Sequence, residues 1–265
     1  GKSVLDANTT GAANTGVGNN SLSANTTANN NTALGAYTLE DNTTGTALVA
    51  VGAGALKNNT TASNNVAVGL DALMTNTTGA SNVAVGKDAL KTNTTGGAVT
   101  AIGFTAGYSQ TTADHNTFLG NGTGYSITTG GSNTLAGSNA GYYLTTGTNN
   151  IGIGKDALQG PSTGATCSNN IAIGYEAMQF ITTGGTNTTI GNYSMQSMTT
   201  GARNTAVGYA ALDNASTTSD NTAVGYDSLT QTTSGYSNVA VGKDALKANT
   251  EGQSGVAVGA DAATS

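Results

Sequence analysis

A glycine closes a short apolar run every 17 residues along this chain. The runs read as Asn82-Val83-Ala84-Val85-Gly86 or Asn221-Thr222-Ala223-Val224-Gly225, and their glycines stand at positions 18, 35, 52, 69, 86, 103, 120, 137, 154, 174, 191, 208, 225, 242 and 259. Every interval is 17 residues except the 20 between Gly154 and Gly174. So short a unit cannot close a hydrophobic core alone, so each must bury its apolar face against the next, and the chain must stack. Fifteen anchors span all 265 residues, which reads as a single repeat domain, 1–265, with one three-residue insertion placed within residues 165–169.

Aligning the units on the anchor glycine shows what each column is for. Three residues before it, all fifteen positions are Val, Ile or Thr, and one residue before it fourteen are Val, Ile or Leu. The residue between is usually Ala, so the run alternates with period two and is a strand. Four before the anchor, 12 of 15 positions are Asn, an arrangement that lets identical amides hydrogen-bond along a stacked column. Four after it, 11 of 15 are Leu or Met, expected to be buried. A Thr-Thr-Gly segment follows, as at Thr77-Thr78-Gly79, and reads as a second short strand closed by a turn. The expected fold is therefore all-β: a parallel β-solenoid (β-roll) of about fifteen 17-residue coils. The β-branched pair lies on one strand face and Asn, Ala and Gly on the other. Small residues on a second face are what close chain-to-chain approach requires, which favours a trimer.

Composition removes several classes of function. Charged residues make up 8% of the chain, against roughly 25% in ordinary globular proteins. A net charge of −6 argues against a phosphate-tracking, nucleic-acid-binding surface. No apolar run approaches the roughly 18 residues of a membrane-spanning helix, so no membrane insertion is expected in this segment. The first residues, Gly1 to Thr10, show no basic and apolar leader. Both ends stop in mid-pattern, as in an excerpt from a longer fibre.

The residues of catalysis are too scattered to suggest an enzyme, and no catalytic residue, cofactor or metal is assigned. His115 is the only imidazole. Carboxylates recur at one turn position, as Asp71, Asp88, Asp156, Asp227, Asp244 and Asp261, where an acid/base pair would need two differing environments. Lys87, Lys155 and Lys243 precede three of them and are expected to offset their charge at a solvated corner. No calcium-binding β-roll unit and no phosphate-binding loop occurs. Asn-x-Thr triplets such as Asn76-Thr77-Thr78 follow automatically from the repeat. One irregularity supplies candidate ligand contacts. Gly107, Gly124 and Gly141 replace the buried Leu, and Tyr108, Tyr125 and Tyr142 follow them directly. This column is either compensating packing or an aromatic strip that stacks on a sugar or a partner. The insertion is expected to bulge outward and carry Cys167 with it.

The run Asn82-Val83-Ala84-Val85-Gly86 resembles the head repeats of YadA-type trimeric autotransporter adhesins. The longer unit Asn204-Thr205-Ala206-Val207-Gly208-Tyr209-Ala210-Ala211-Leu212 resembles repeats of bacteriophage tail fibres. In the adhesins the unit is shorter and forms a left-handed parallel β-roll with three chains around one axis. The resemblance implies a homotrimer through strand faces, at a virion surface or an extracellular or cell surface, serving host attachment. A host-surface glycan or protein receptor would be the further partner. The chain lacks the anchor, coiled-coil stalk and chaperone of those families. The alternative is a single-chain binding surface, either a glycan or matrix adhesin or an ice-binding face built on threonine columns such as Thr60, Thr77, Thr94, Thr111 and Thr128.

Overall fold

The strands lie where the alternation is unbroken. In the computed structural model, which describes residues 1–264, fifteen three-residue strands run from β1 (Thr15–Val17) to β15 (Val256–Val258), each just before an anchor glycine. No helix occurs among the described residues. The chain forms two compact units, residues 1–132 carrying β1 to β7 (Thr117–Leu119) and residues 133–265 carrying β8 (Thr134–Ala136) to β15. Within each unit, successive strands pair in parallel with like columns in register. Val66 faces Val83 and Ala67 faces Ala84 in the first, and Thr205 faces Thr222 in the second. The fold is a parallel β-solenoid of about fourteen coils, counted strand to strand.

Three expectations are corrected. First, the Thr-Thr-Gly segment is not a second strand. Its main chain bends, and consecutive amides share one acceptor: those of Thr77 and Thr78 both donate to the Thr94 carbonyl, at 2.9 and 3.2 Å. Second, the small face is the interior and offers no surface for another chain. Ala84, Ala89 and Leu90 fill one coil and are fully buried, while Val83 and Val85 point outward. The inward strand position is most often a methyl group, and larger side chains enter it where the coil makes room, as at Phe118, Leu135 and Thr189. Third, the insertion lies upstream of its expected place. The Tyr143 amide bonds the Gln159 carbonyl, and the Thr145 amide the Ala165 carbonyl, so the three extra residues fall between Gln159 and Ala165. They form a turn closed by the Gly164 amide on the Pro161 carbonyl at 2.9 Å, exposing Ser162 and Thr163. Cys167 points inward and is buried, because it occupies the column where most coils place the corner glycine.

The corners demand unusual backbone. The anchor Gly86 has φ +135°, and a Cβ there would lie 2.3 Å from the Gly103 carbonyl oxygen. Non-glycine residues also turn left-handed at fixed columns, as at Asp88 (φ 58°), Leu90 (φ 50°) and Ser81 (φ 61°). Each such residue costs on the order of 1–2 kcal/mol. The conformation persists because amides at the corners are held by the neighbouring coils: Asp88 donates to the Leu70 carbonyl at 2.9 Å and Leu90 to the Ala106 carbonyl at 3.0 Å.

Asparagine columns seal the interior, as the alignment predicts for the first of them. The Asn82 Oδ1 accepts the Val99 amide at 3.0 Å, and its Nδ2 donates to the Gly96 carbonyl at 2.9 Å. In the second unit, Asn187, Asn204, Asn221 and Asn238 repeat the step from amide to amide. The first unit holds another column seven residues after the anchor. There Asn25, Asn42, Asn59, Asn76 and Asn93 pass Nδ2–Oδ1 bonds of 2.8 to 3.2 Å from coil to coil. At the same column Ile127, Ile181 and Met198 are buried instead, so hydrocarbon replaces the amide ladder.

Replacing Asn82 by Ala strands the buried Val99 amide, while the Gly96 carbonyl keeps its bond from Asn93 at 2.9 Å. Asn82→Ala is therefore expected to lower stability by about 1–3 kcal/mol in denaturant unfolding followed by circular dichroism. Thr95→Ala, on an exposed column, is expected to shift it by less than about 0.5 kcal/mol.

Candidate functional site

Tyr108, Tyr125 and Tyr142 each follow a glycine whose missing side chain has been replaced from across the coil. Phe118 occupies the inward strand position that is usually Ala and is fully buried. A Cβ on Gly107 would lie 2.7 Å from Phe118 Cδ2, and one on Gly124 would lie 2.5 Å from Cε1. The phenyl ring thus fills the volume of two absent leucines. Leu135 does the same for Gly141, at 2.5 Å. Tyr108 and Tyr125 are half-buried and stack at 5.0 Å with planes 7° apart. Tyr142 lies in the second unit, where it meets the edge of Tyr143 at 4.8 Å. The glycines are accounted for by packing, and each of the three tyrosines has a ring contact within its own unit.

A longer file of tyrosines was not anticipated. In the second unit Tyr175, Tyr193, Tyr209 and Tyr226 follow one another at centroid separations of 5.3, 5.5 and 5.2 Å. Tyr193 is edge-on to both neighbours, and Tyr209 and Tyr226 are parallel within 8°. The Lys155 Nζ sits 5.3 Å from the Tyr175 ring. The available signal was the column directly after the anchor glycine, which holds Tyr175, Tyr209 and Tyr226. Tyr193 stands one residue later and hides the regularity.

Charges at the corner are largely paired. Lys91 bonds both Asp71 (3.0 Å) and Asp88 (2.8 Å), and Lys247 bonds both Asp227 (2.7 Å) and Asp244 (2.8 Å). These bridges are shorter than the contacts of Lys87 and Lys155 with the adjacent aspartates, at 3.7 and 3.4 Å. The hydrogen bond from Lys247 holds the Asp244 carboxyl below its usual range. Asp213 is the exception: its Oδ1 is buried without a partner. Burial first, and the nearby Asp227 second, push its carboxyl up to about 6. His115 lies exposed on a left-handed corner. Among the described residues, no three His, Cys, Asp or Glu side chains stand close enough to hold a metal ion.

The threonine columns divide into two. Thr60, Thr77, Thr94 and Thr111 are half-buried, and each hydroxyl donates to the threonine carbonyl of the following coil at 3.1 to 3.2 Å, the last to that of Thr128. The proton of each hydroxyl is committed to the backbone, which leaves only acceptor lone pairs toward water. The adjacent column, Thr10 through Thr217, is exposed in thirteen consecutive coils, but the columns beyond it are irregular, with Ala80, Gly97 and Asp114 in successive coils. Asn76, the acceptor of an Asn-x-Thr triplet, is buried and hydrogen-bonded to Asn59 and Gly79, so it is closed to modification in the folded chain.

Two outcomes are expected. Phe118→Ala lowers stability by about 3–5 kcal/mol in chemical denaturation. Adding Gly107→Leu and Gly124→Leu recovers most of it, since leucine already adopts φ near +50° at that column in Leu90. Asp213 is raised from 3.8 to about 6, so its ionised form opposes folding. That penalty is absent below pH 4, grows as pH rises to 6 and is full above it. Asp213→Asn should therefore raise Tm at pH 7.5 and leave it nearly unchanged at pH 4, read by thermal melts of both proteins at each pH.

Compared with known proteins, the chain matches no family model, no curated protein and no solved structure.

Proposed function

We propose that this chain is a segment of a structural fibre, in which three copies pack through their outer strand faces at a virion or cell surface to serve host attachment. The observation that carries the reading is the inverted strand. Its inward residue is usually small, and larger apolar residues point out, as at Val17 (52% exposed), Leu34 (48%) and Ile102 (43%). Large apolar patches on a soluble protein mark contact sites. Here one apolar column runs along the strands of each unit, beside a column that mixes Thr with Val and Ile, and it is extended in the first unit by Leu70 and Phe104 just beyond the anchor. A second copy of the chain presents the same columns at the same spacing, which makes the face self-complementary. The uniform coil suits a rigid spacer. The committed Thr60–Thr111 hydroxyls speak against the ice-binding alternative.

Light scattering after size exclusion is expected to give a mass near three times 25.8 kDa. Val83→Lys with Val85→Lys, both on the outward face, is expected to reduce it to a single chain with an unchanged circular dichroism spectrum. A monomeric mass for the unaltered protein overturns the fibre reading and favours a single-chain binding surface.

A further inference from the structure

The tyrosine file of the second unit has no task in the fold. Its main column holds Ala36, Ala53, Lys87 and Ser138 in other coils, and those coils keep the same strand, turn and corner. The rings lie outside the coil: Tyr209 is 45% exposed and Tyr226 49%. The interior beneath them is already filled by residues such as Ala177, Met178, Ala211 and Leu212. A run of large aromatic side chains that the scaffold does not require is available to a ligand.

The surroundings narrow the ligand's chemistry. Beside the rings runs a row of side-chain amides and carboxylates. Gln179 donates to Gln159 at 3.0 Å, Gln196 to Gln179 at 3.2 Å, and Gln196 also to Glu176. Asp213 continues this column with a buried oxygen that has no partner. Apolar ring surface next to planar amides and carboxylates suits a molecule that carries C–H faces and hydroxyl edges together. Lys155 and Lys247 pair with Asp156 and Asp227, and Glu176 and Asp213 leave the corner net negative, which disfavours an anionic ligand. The tyrosines recur about once per coil, so an extended polymer of similar rise can follow the file ring by ring.

We propose that Tyr175, Tyr193, Tyr209 and Tyr226, with the Gln159–Gln179–Gln196 row, form a binding strip for an extended neutral polysaccharide. The ligand's sugar rings lie against the tyrosines, and its hydroxyls exchange hydrogen bonds with the amides and with Asp213. The phenol of Tyr175 stays protonated, since its hydrogen bond to Glu176 pushes it up to about 12, so it remains a donor to either group.

The test is affinity electrophoresis of the full chain, in its own oligomeric state, through native gels containing soluble β-glucan, xyloglucan, galactomannan or the anionic polymer alginate. Retardation is expected in at least one neutral gel and not in alginate. Tyr209→Ala with Tyr226→Ala should weaken it about tenfold or more, while Tyr209→Phe with Tyr226→Phe keeps it within about threefold. Tyr37→Ala, at an exposed tyrosine of the first unit, should leave it unchanged. Because alanine occupies this column at Ala36 and Ala53, the double alanine chain is expected to fold, and its melting curve checks that. The proposal is overturned if no neutral polymer retards the protein, if alginate retards it equally, or if the alanine variant is retarded as before. It is likewise overturned if that variant loses oligomeric mass but not retardation, which assigns the file to contact between copies. None of these outcomes depends on whether the assembly is a trimer.

Discussion

In this chain a main-chain amide finds its partner one coil away. The parallel ladder of the strands continues around the corners, as the 2.8 Å bond from Gly86 to Val68 and the 3.0 Å bond from Leu90 to Ala106 illustrate. Everything else depends on this stacking register. It aligns the asparagines so that side-chain amides meet from coil to coil along Asn42, Asn59, Asn76 and Asn93, and it holds Leu90 and Asp88 in left-handed conformations they would not keep alone. A coil removed from its neighbours loses its hydrogen bonds and its interior together, so stability belongs to adjacent pairs of coils.

The stacking also fixes what can be inside. Adjacent walls of so narrow a coil leave room for Ala84, Ala89 and Leu90, and polar columns close what they do not fill. Hydrocarbon burial per coil is thin, and most of the Val and Ile side chains of the strands are left on the outside. An ordinary half-buried strand turns its β-branched residues inward; this one turns them out, toward a surface that another chain can cover. The architecture therefore joins a polar-sealed interior to an exterior that carries exposed apolar side chains.

Departures from the repeat fall into two kinds. Phe118 against Gly107 and Gly124, and Leu135 against Gly141, are exchanges of volume inside the coil and leave the outline unchanged. The tyrosines of the second unit and the unpaired Asp213 lie toward the outer corner and compensate for nothing. Internal deviations answer to packing, and external ones are free to answer to something else. The same scaffold can thus vary its surface without changing its path.

The sequence by itself determined the period, the strand positions, the buried leucine and the first asparagine ladder. All of these follow from local alternation and from identical residues meeting at a fixed spacing. It also carried the insertion's size, because register counts residues. The tertiary structure alone decided which strand face points inward, since a period-two pattern is symmetric until the width of the coil is known. It placed the insertion at Pro161–Gly164 and turned Cys167 inward, because only the hydrogen-bond register locates extra residues among similar neighbours. It also assembled Tyr175, Tyr193, Tyr209 and Tyr226, since ring contact depends on side-chain direction at a corner, which spacing along the chain does not carry.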